Sequence, residues 1–189
     1  MKKLLILGLI ILSNLSGKAQ DIKPLETKMN YYSIETGLPK NISYFKDVNN
    51  LLDKYVGTWK GTLGTRIYEF RITKYTDIYD GLKEDKLLIR YLITTTSGSV
   101  VEDTRSTTDI NCSIKGDFFQ KSSYVLNYYG KQTECGQTGV VFIGMVKNSN
   151  NTQMKLFLSQ DQVFLDTQTC PNGRAPQVLP LDQVLLTKQ

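Results

Sequence analysis

The chain is predicted to fold as an all-β protein: a single antiparallel up-and-down barrel of about eight to nine strands, entered through a short N-terminal helix. Three observations carry this. From residue 58 onward, apolar and polar residues alternate in short runs separated by turn residues, the period-2 pattern of half-buried strands. Nothing helical of any length follows that point. The stretch 47–61, D-V-N-N-L-L-D-K-Y-V-G-T-W-K-G, feeds an amphipathic turn of helix through Gly57 into a strand carrying Trp59, the only tryptophan. Trp59 is placed there to plug a closed end. Closure follows physically, because an open sheet of this many strands would leave two edges unpaired.

Residues 1–19 read as a secretory leader. Lys2 and Lys3 form the charged start, residues 4–12 an apolar run too short to span a bilayer, and Gly17 and Ala19 the small residues before a cut that leaves Gln20 first. No cysteine sits at that junction, so lipid anchoring is not indicated. Residues 20–44, with Pro24, Gly37 and Pro39, read as a flexible or loosely docked arm pinned by Tyr31, Tyr32 and Ile34. Residues 45–189 form the barrel domain.

Within it, 45–55 is the helix candidate, with Asp47 or Asn49 as its cap and Val48, Leu51, Leu52 and Tyr55 on one face. Gly57 ends it. Strands are expected at 58–63, 66–75, 87–96, 100–110, 118–129, 140–146, 154–159 and 181–188, with a short piece at 163–165. Turns fall at Gly64, at Asp80–Gly81, at Ser97–Gly98 and at 148–151. Residues 167–180, with Cys170, Pro171, Gly173 and Pro176, are too irregular for a strand. Strict alternation gathers Tyr68, Phe70, Ile72, Leu87, Ile89, Tyr91, Tyr124, Leu126 and Tyr128 on inward faces, with Glu69, Arg71 and Arg90 opposite.

Charge excludes one class of partner. The formal net charge is +5, but removing Lys2, Lys3 and Lys18 with the leader leaves 20 basic against 18 acidic residues, or +2. That balance gives no electrostatic footprint for nucleic acid. Chemistry is limited further by the absence of histidine, which rules out serine–histidine and cysteine–histidine nucleophiles and histidine-based zinc sites. Glu69, Glu102, Asp103, Asp109 and Asp161 fall in or near strands, but nothing brings two to one site, and they read as solvated charge. No phosphate loop or dinucleotide fingerprint is present, and neither a metal nor a cofactor is implied. No enzyme activity is expected.

An exported chain permits a disulfide. Of three cysteines, Cys135 and Cys170 lie in glycine-containing loops that need a staple. Cys112 sits at a strand end, where burial as a small hydrophobe is natural. The expected pair is Cys135–Cys170.

Two resemblances enter on particular residues. Gly57-x-Trp59, preceded by 51–56, resembles the entry of lipocalins and fatty-acid-binding proteins into their first strand, and implies a lipocalin-like barrel. In those families a basic residue of the last strand packs across the tryptophan, which implies that role for Lys188. Y-F-K-D-V-N-N-L-L-D-K-Y-V-G-T-W-K, the strand 87–91, V-E-D-T at 101–104, S-Y-V-L-N-Y-Y-G ending at Gly130, Cys135-Gly136, C-P-N-G at 170–173 and the terminal L-T-K-Q resemble a family of small secreted proteins of unknown function from Bacteroidota-type bacteria. That resemblance implies export and a shared fold.

The functional expectation is therefore a secreted, periplasmic or extracellular, monomeric protein that binds a small apolar or amphipathic ligand among the nine inward residues. The alternative is an envelope-associated interaction module whose barrel is filled with side chains and whose partner is another protein. Barrel girth decides between them, since about eight strands either fill with side chains or hold one small ligand.

Overall fold

The computed structural model describes residues 21–32 and 38–189; the leader at 1–19 and its cut lie outside the described residues. The described residues form one sheet of eleven strands: β1 (Asp21–Pro24), β2 (Ile42–Lys46), β3 (Gly57–Leu63), β4 (Arg66–Tyr79), β5 (Leu82–Thr95), β6 (Val100–Asp103), β7 (Ile114–Gln120), β8 (Ser123–Tyr129), β9 (Thr138–Met145), β10 (Gln153–Gln160) and β11 (Val184–Lys188). Eight of these close into an antiparallel barrel in the order β5-β4-β3-β11-β10-β9-β8-β7. The seam is the return from β7 to β5, through Leu88↔Lys115 and Ile89↔Ile114. The predicted all-β closed antiparallel barrel is the observed one, with β1, β2 and β6 added to it.

Alternation explains the barrel wall. Tyr68, Phe70 and Ile72 of β4 face the core, while Glu69 outside is held by Lys60, Arg71 and Arg105. β4 and β5 pair along their full lengths through a turn whose Asp80 and Gly81 both have positive φ (48° and 81°), the geometry that favours Asp-Gly. This hairpin runs past the start of β3, which begins opposite Ile72. The extension is the platform on which β2 lies parallel to β5, with β1 beyond it.

Several elements differ from the sequence reading, each for a local reason. The helix expected over 45–55 is a strand end, a series of turns and a single 3₁₀ turn, Asp53–Tyr55. Phe45 belongs to β2, and Asn50 takes φ 53°, which interrupts a helical ladder. Asp47 still caps, its carboxylate accepting the amides of Leu51 (2.7 Å) and Leu52 (3.1 Å). The strand expected over 118–129 is the hairpin β7–β8, turned at Lys121 with φ 54° and bulged between Gly116 and Phe118. The polar strand expected to 110 stops at Asp103. There the side chains of Asp103 and Thr104 bond nearby backbone and end the ladder. Residues 163–165 form no strand, and the last strand starts at Val184.

The segment read as an arm, 20–44, contributes β1, a 3₁₀ turn at Leu25–Tyr31 and the start of β2 in its described part. Leu25 and Ile42 enter the core. Buried Lys28 bridges Glu84 (3.0 Å) and Asp117 (2.8 Å), tying the segment to the outer wall.

Candidate functional site

The two ends of the barrel are closed by different devices. Where β3 begins, Gly57 has φ +131°, and a Cβ there would meet Lys188 Cε at 3.0 Å. The positive φ calls for glycine, and the absent Cβ leaves Lys188 its path. Lys188 passes over Trp59 with its Nζ 5.3 Å from the ring centroid, and Trp59 Nε1 donates to Tyr55 O at 2.7 Å. Trp59 itself is fully buried.

All nine inward residues are buried: Tyr68, Phe70, Ile72, Leu87, Ile89, Tyr91, Tyr124, Leu126 and Tyr128 share one cluster with Trp59. Rings meet rings there, with Tyr68 stacked on Phe70 at 6.0 Å and Phe70 edge-on to Tyr91 at 6.3 Å. Val141, Ile143, Leu156, Leu158, Val184 and Leu186 meet them from the opposite wall. The interior is thus occupied by side chains. Burial pushes the phenols of Tyr55 and Tyr128 up to about 12, so they stay neutral near pH 7. Burial also raises the thiol of Cys112, which contacts the carbonyls of Ile89 and Ile114. A buried, raised thiol is a poor nucleophile.

One carboxylate departs from the outward reading. Pairing of Ile93 with Glu102 turns Glu102 inward, where it accepts the Tyr91 hydroxyl at 3.0 Å, with Lys131 at 3.7 Å on the outer side. Asp103 and Asp109 remain on the surface, paired with Arg105 and Arg90. Among the described residues, no group of three or more carboxylates or thiols converges as a metal site.

At the opposite end, the mouth, the long β10–β11 connection folds over the barrel. Cys135 and Cys170 form the disulfide that holds it, and Cys112 is free and buried. Closing a loop of 35 residues contributes about 4 kcal/mol by chain entropy. Backbone bonds seat the lid: Ala175 N to Cys135 O (2.8 Å) and Leu158 N to Pro180 O (2.7 Å). Leu179 inserts into the core cluster. Arg66 fixes the lid from β4, its Nη1 donating to the carbonyls of Gln177 and Val178, both at 3.0 Å.

Between lid and rim lie two adjoining concavities of about 450 and 630 Å³ that share Gln160 and Arg174. The smaller has an apolar wall of Leu63, Ala175, Pro176, Leu179, Pro180 and Leu181, and a polar side of Arg66, Gln160, Arg174, Gln177 and Asp182. Of the nine predicted residues, only Tyr68 lines it. The larger opens outward past the fully exposed Phe164. Arg174 is held by the carbonyls of Asp161 (3.0 Å) and Val163 (3.3 Å). It lies across Gly136, where a Cβ would meet its Nη1 at 2.8 Å and where φ is +83°. Both concavities are shallow and open widely to solvent, with volumes in the size range of ligand pockets.

Sequence reasoning missed these lining groups because they sit on irregular backbone, where no period marks a face. The available signal was Pro171, Pro176 and Pro180 around Gly173 beside a cysteine, which marks a stapled lid.

Comparison with protein-family models matches residues 1–189 to "Family of unknown function (DUF6705)", and the chain belongs to that family. No curated protein and no solved structure matches.

Proposed function

We propose that this protein is an exported, non-enzymatic binder of a small amphipathic molecule, held at the mouth of the barrel beneath the stapled lid. The observation that carries the reading is the contrast between the two candidate spaces. The interior is filled by a continuous cluster that includes Trp59, five inward aromatic rings and Leu179 of the lid, whereas the cleft of about 450 Å³ sets an apolar wall against polar groups. The disulfide supports residence in an oxidising compartment. Among the described residues, no helix is long and apolar enough to cross a membrane. Neutral buried phenols, a raised and enclosed thiol and the lack of histidine argue against catalysis.

Titration with environment-sensitive amphipathic dyes tests this. The expected result is saturable one-to-one binding, weakened about fivefold or more in Leu181→Asn with the melting temperature retained. Leu181 lines the cleft yet is 52 % exposed, so its loss falls on the ligand and not on the core. Absence of saturable binding in folded protein overturns the reading in favour of a partner-docking module.

A further inference from the structure

We infer that the mouth cleft selects anions: Arg66 and Arg174 together hold the negatively charged head of an amphiphile whose apolar body lies on the proline-rich wall. The inference rests on the mouth-cleft reading above and names the chemistry of its ligand.

The sequence contains five arginines. Arg71, Arg90 and Arg105 each pair with a carboxylate on the outer wall, to Glu69, Asp109 and Asp103 respectively. The remaining two, Arg66 and Arg174, have no carboxylate within ion-pair distance among the described residues, and both line the same cleft. Asp161 and Asp182 are the carboxylates in the lining, and neither forms an ion pair with them.

The guanidiniums are nevertheless positioned. Arg66 is fixed through Nη1 by two carbonyls and also bonds the Tyr68 hydroxyl in the same lining, which still leaves guanidinium hydrogens over. Arg174 spends one N–H of each terminal nitrogen on carbonyls and is seated over Gly136. Carbonyls orient a guanidinium without neutralising it. Both guanidiniums line one cleft with N–H groups to spare, so an anion seated there can accept charge-assisted hydrogen bonds from them. The polar rim also supplies the amide side chains of Gln160 and Gln177, each of which spends one N–H on Gly136 O. The arginines are the charged donors left for a ligand, with the second N–H of each glutamine beside them.

The test uses a matched pair of probes: anilinonaphthalene sulfonate and its uncharged parent, N-phenylnaphthylamine, which share one apolar body. The charged probe should bind saturably at one site, about tenfold or more tighter than the neutral one, as expected for charge-assisted hydrogen bonds. Arg174→Gln, on an exposed side chain, and Arg66→Gln should each remove most of that preference, weakening the charged probe far more than the neutral one. Added salt should weaken only the charged probe. Because Arg66 also holds the lid, Arg66→Lys serves as a control for charge with altered geometry, and melting temperature reports the fold. Equal affinity for the two probes, or a preference that survives both glutamine variants, overturns the anion assignment and leaves the cleft reading standing. Failure of both probes to bind overturns the two together. Co-sedimentation with phosphatidylglycerol vesicles tells a lipid head group from a free amphiphile; either supports the assignment when the arginine variants abolish it.

Discussion

Trp59 is where sequence and structure agree most closely at the scale of single residues. Its indole is fully buried, donates to Tyr55 O and lies under Lys188, so one side chain joins the entry turn, the first barrel strand and the last. Trp59→Ala is expected to cost about 3–5 kcal/mol, since the ring leaves a cavity that three elements must collapse to fill. Lys188→Met should cost about 1 kcal/mol, because the alkyl stem still covers the ring and only the cation is lost. Urea unfolding followed by circular dichroism measures both; a Trp59→Ala cost below that of Lys188→Met would contradict the plugging role. These residues were legible because Gly-x-Trp is a local pattern. Glu102 was not, since its inward direction comes from pairing with Ile93 across a bulge that no sequence period announces.

The N-terminal segment shows how an element can be built by electrostatics instead of periodicity. Its 3₁₀ turn at Leu25–Tyr31 buries Leu25 and delivers Lys28 to Glu84 and Asp117 on the barrel wall. Burial raises the carboxyl of Asp117, but Lys28, with Tyr32 and Asn127, outweighs it and holds the group below its ordinary range. A carboxyl with a depressed folded pKa contributes stability above its unfolded pKa of about 3.9 and loses it as pH falls through the folded value. Acidification from about pH 4 down through that depressed value should therefore progressively loosen residues 25–31 before the barrel unfolds. Asp117→Asn should loosen the same segment at pH 7, at a cost of about 1–3 kcal/mol. Amide hydrogen exchange checks this, and uniform loss of protection across segment and barrel would count against it. A chain with little periodicity between 20 and 44 reads as an arm because Lys28, Glu84 and Asp117 are far apart in sequence, and only the folded wall brings them together. The β7–β8 turn was hidden for a related reason: Lys121 adopts positive φ without being glycine or asparagine.

Across the whole molecule, the closed barrel was legible because each wall strand alternates, and alternation fixes an inside once the sheet curls. What fills that inside was not. The nine inward residues are the same whether they line a cavity or interdigitate, and only their three-dimensional packing with Leu179 and the β9–β11 wall shows the interior occupied. The mouth cleft was beyond reach because its lining comes from Leu63 and Arg66 at one strand turn and from residues 174–182 of an aperiodic lid. Placing the ligand at the mouth and not in the core is the central claim. It is tested most directly by amide chemical-shift mapping during titration with anilinonaphthalene sulfonate. The account predicts that the largest shifts fall on 63–68 and on 160–182, with Ile89, Leu126 and Ile143 nearly unmoved. Largest shifts on Ile89, Leu126 and Ile143, with a quiet lid, would contradict it.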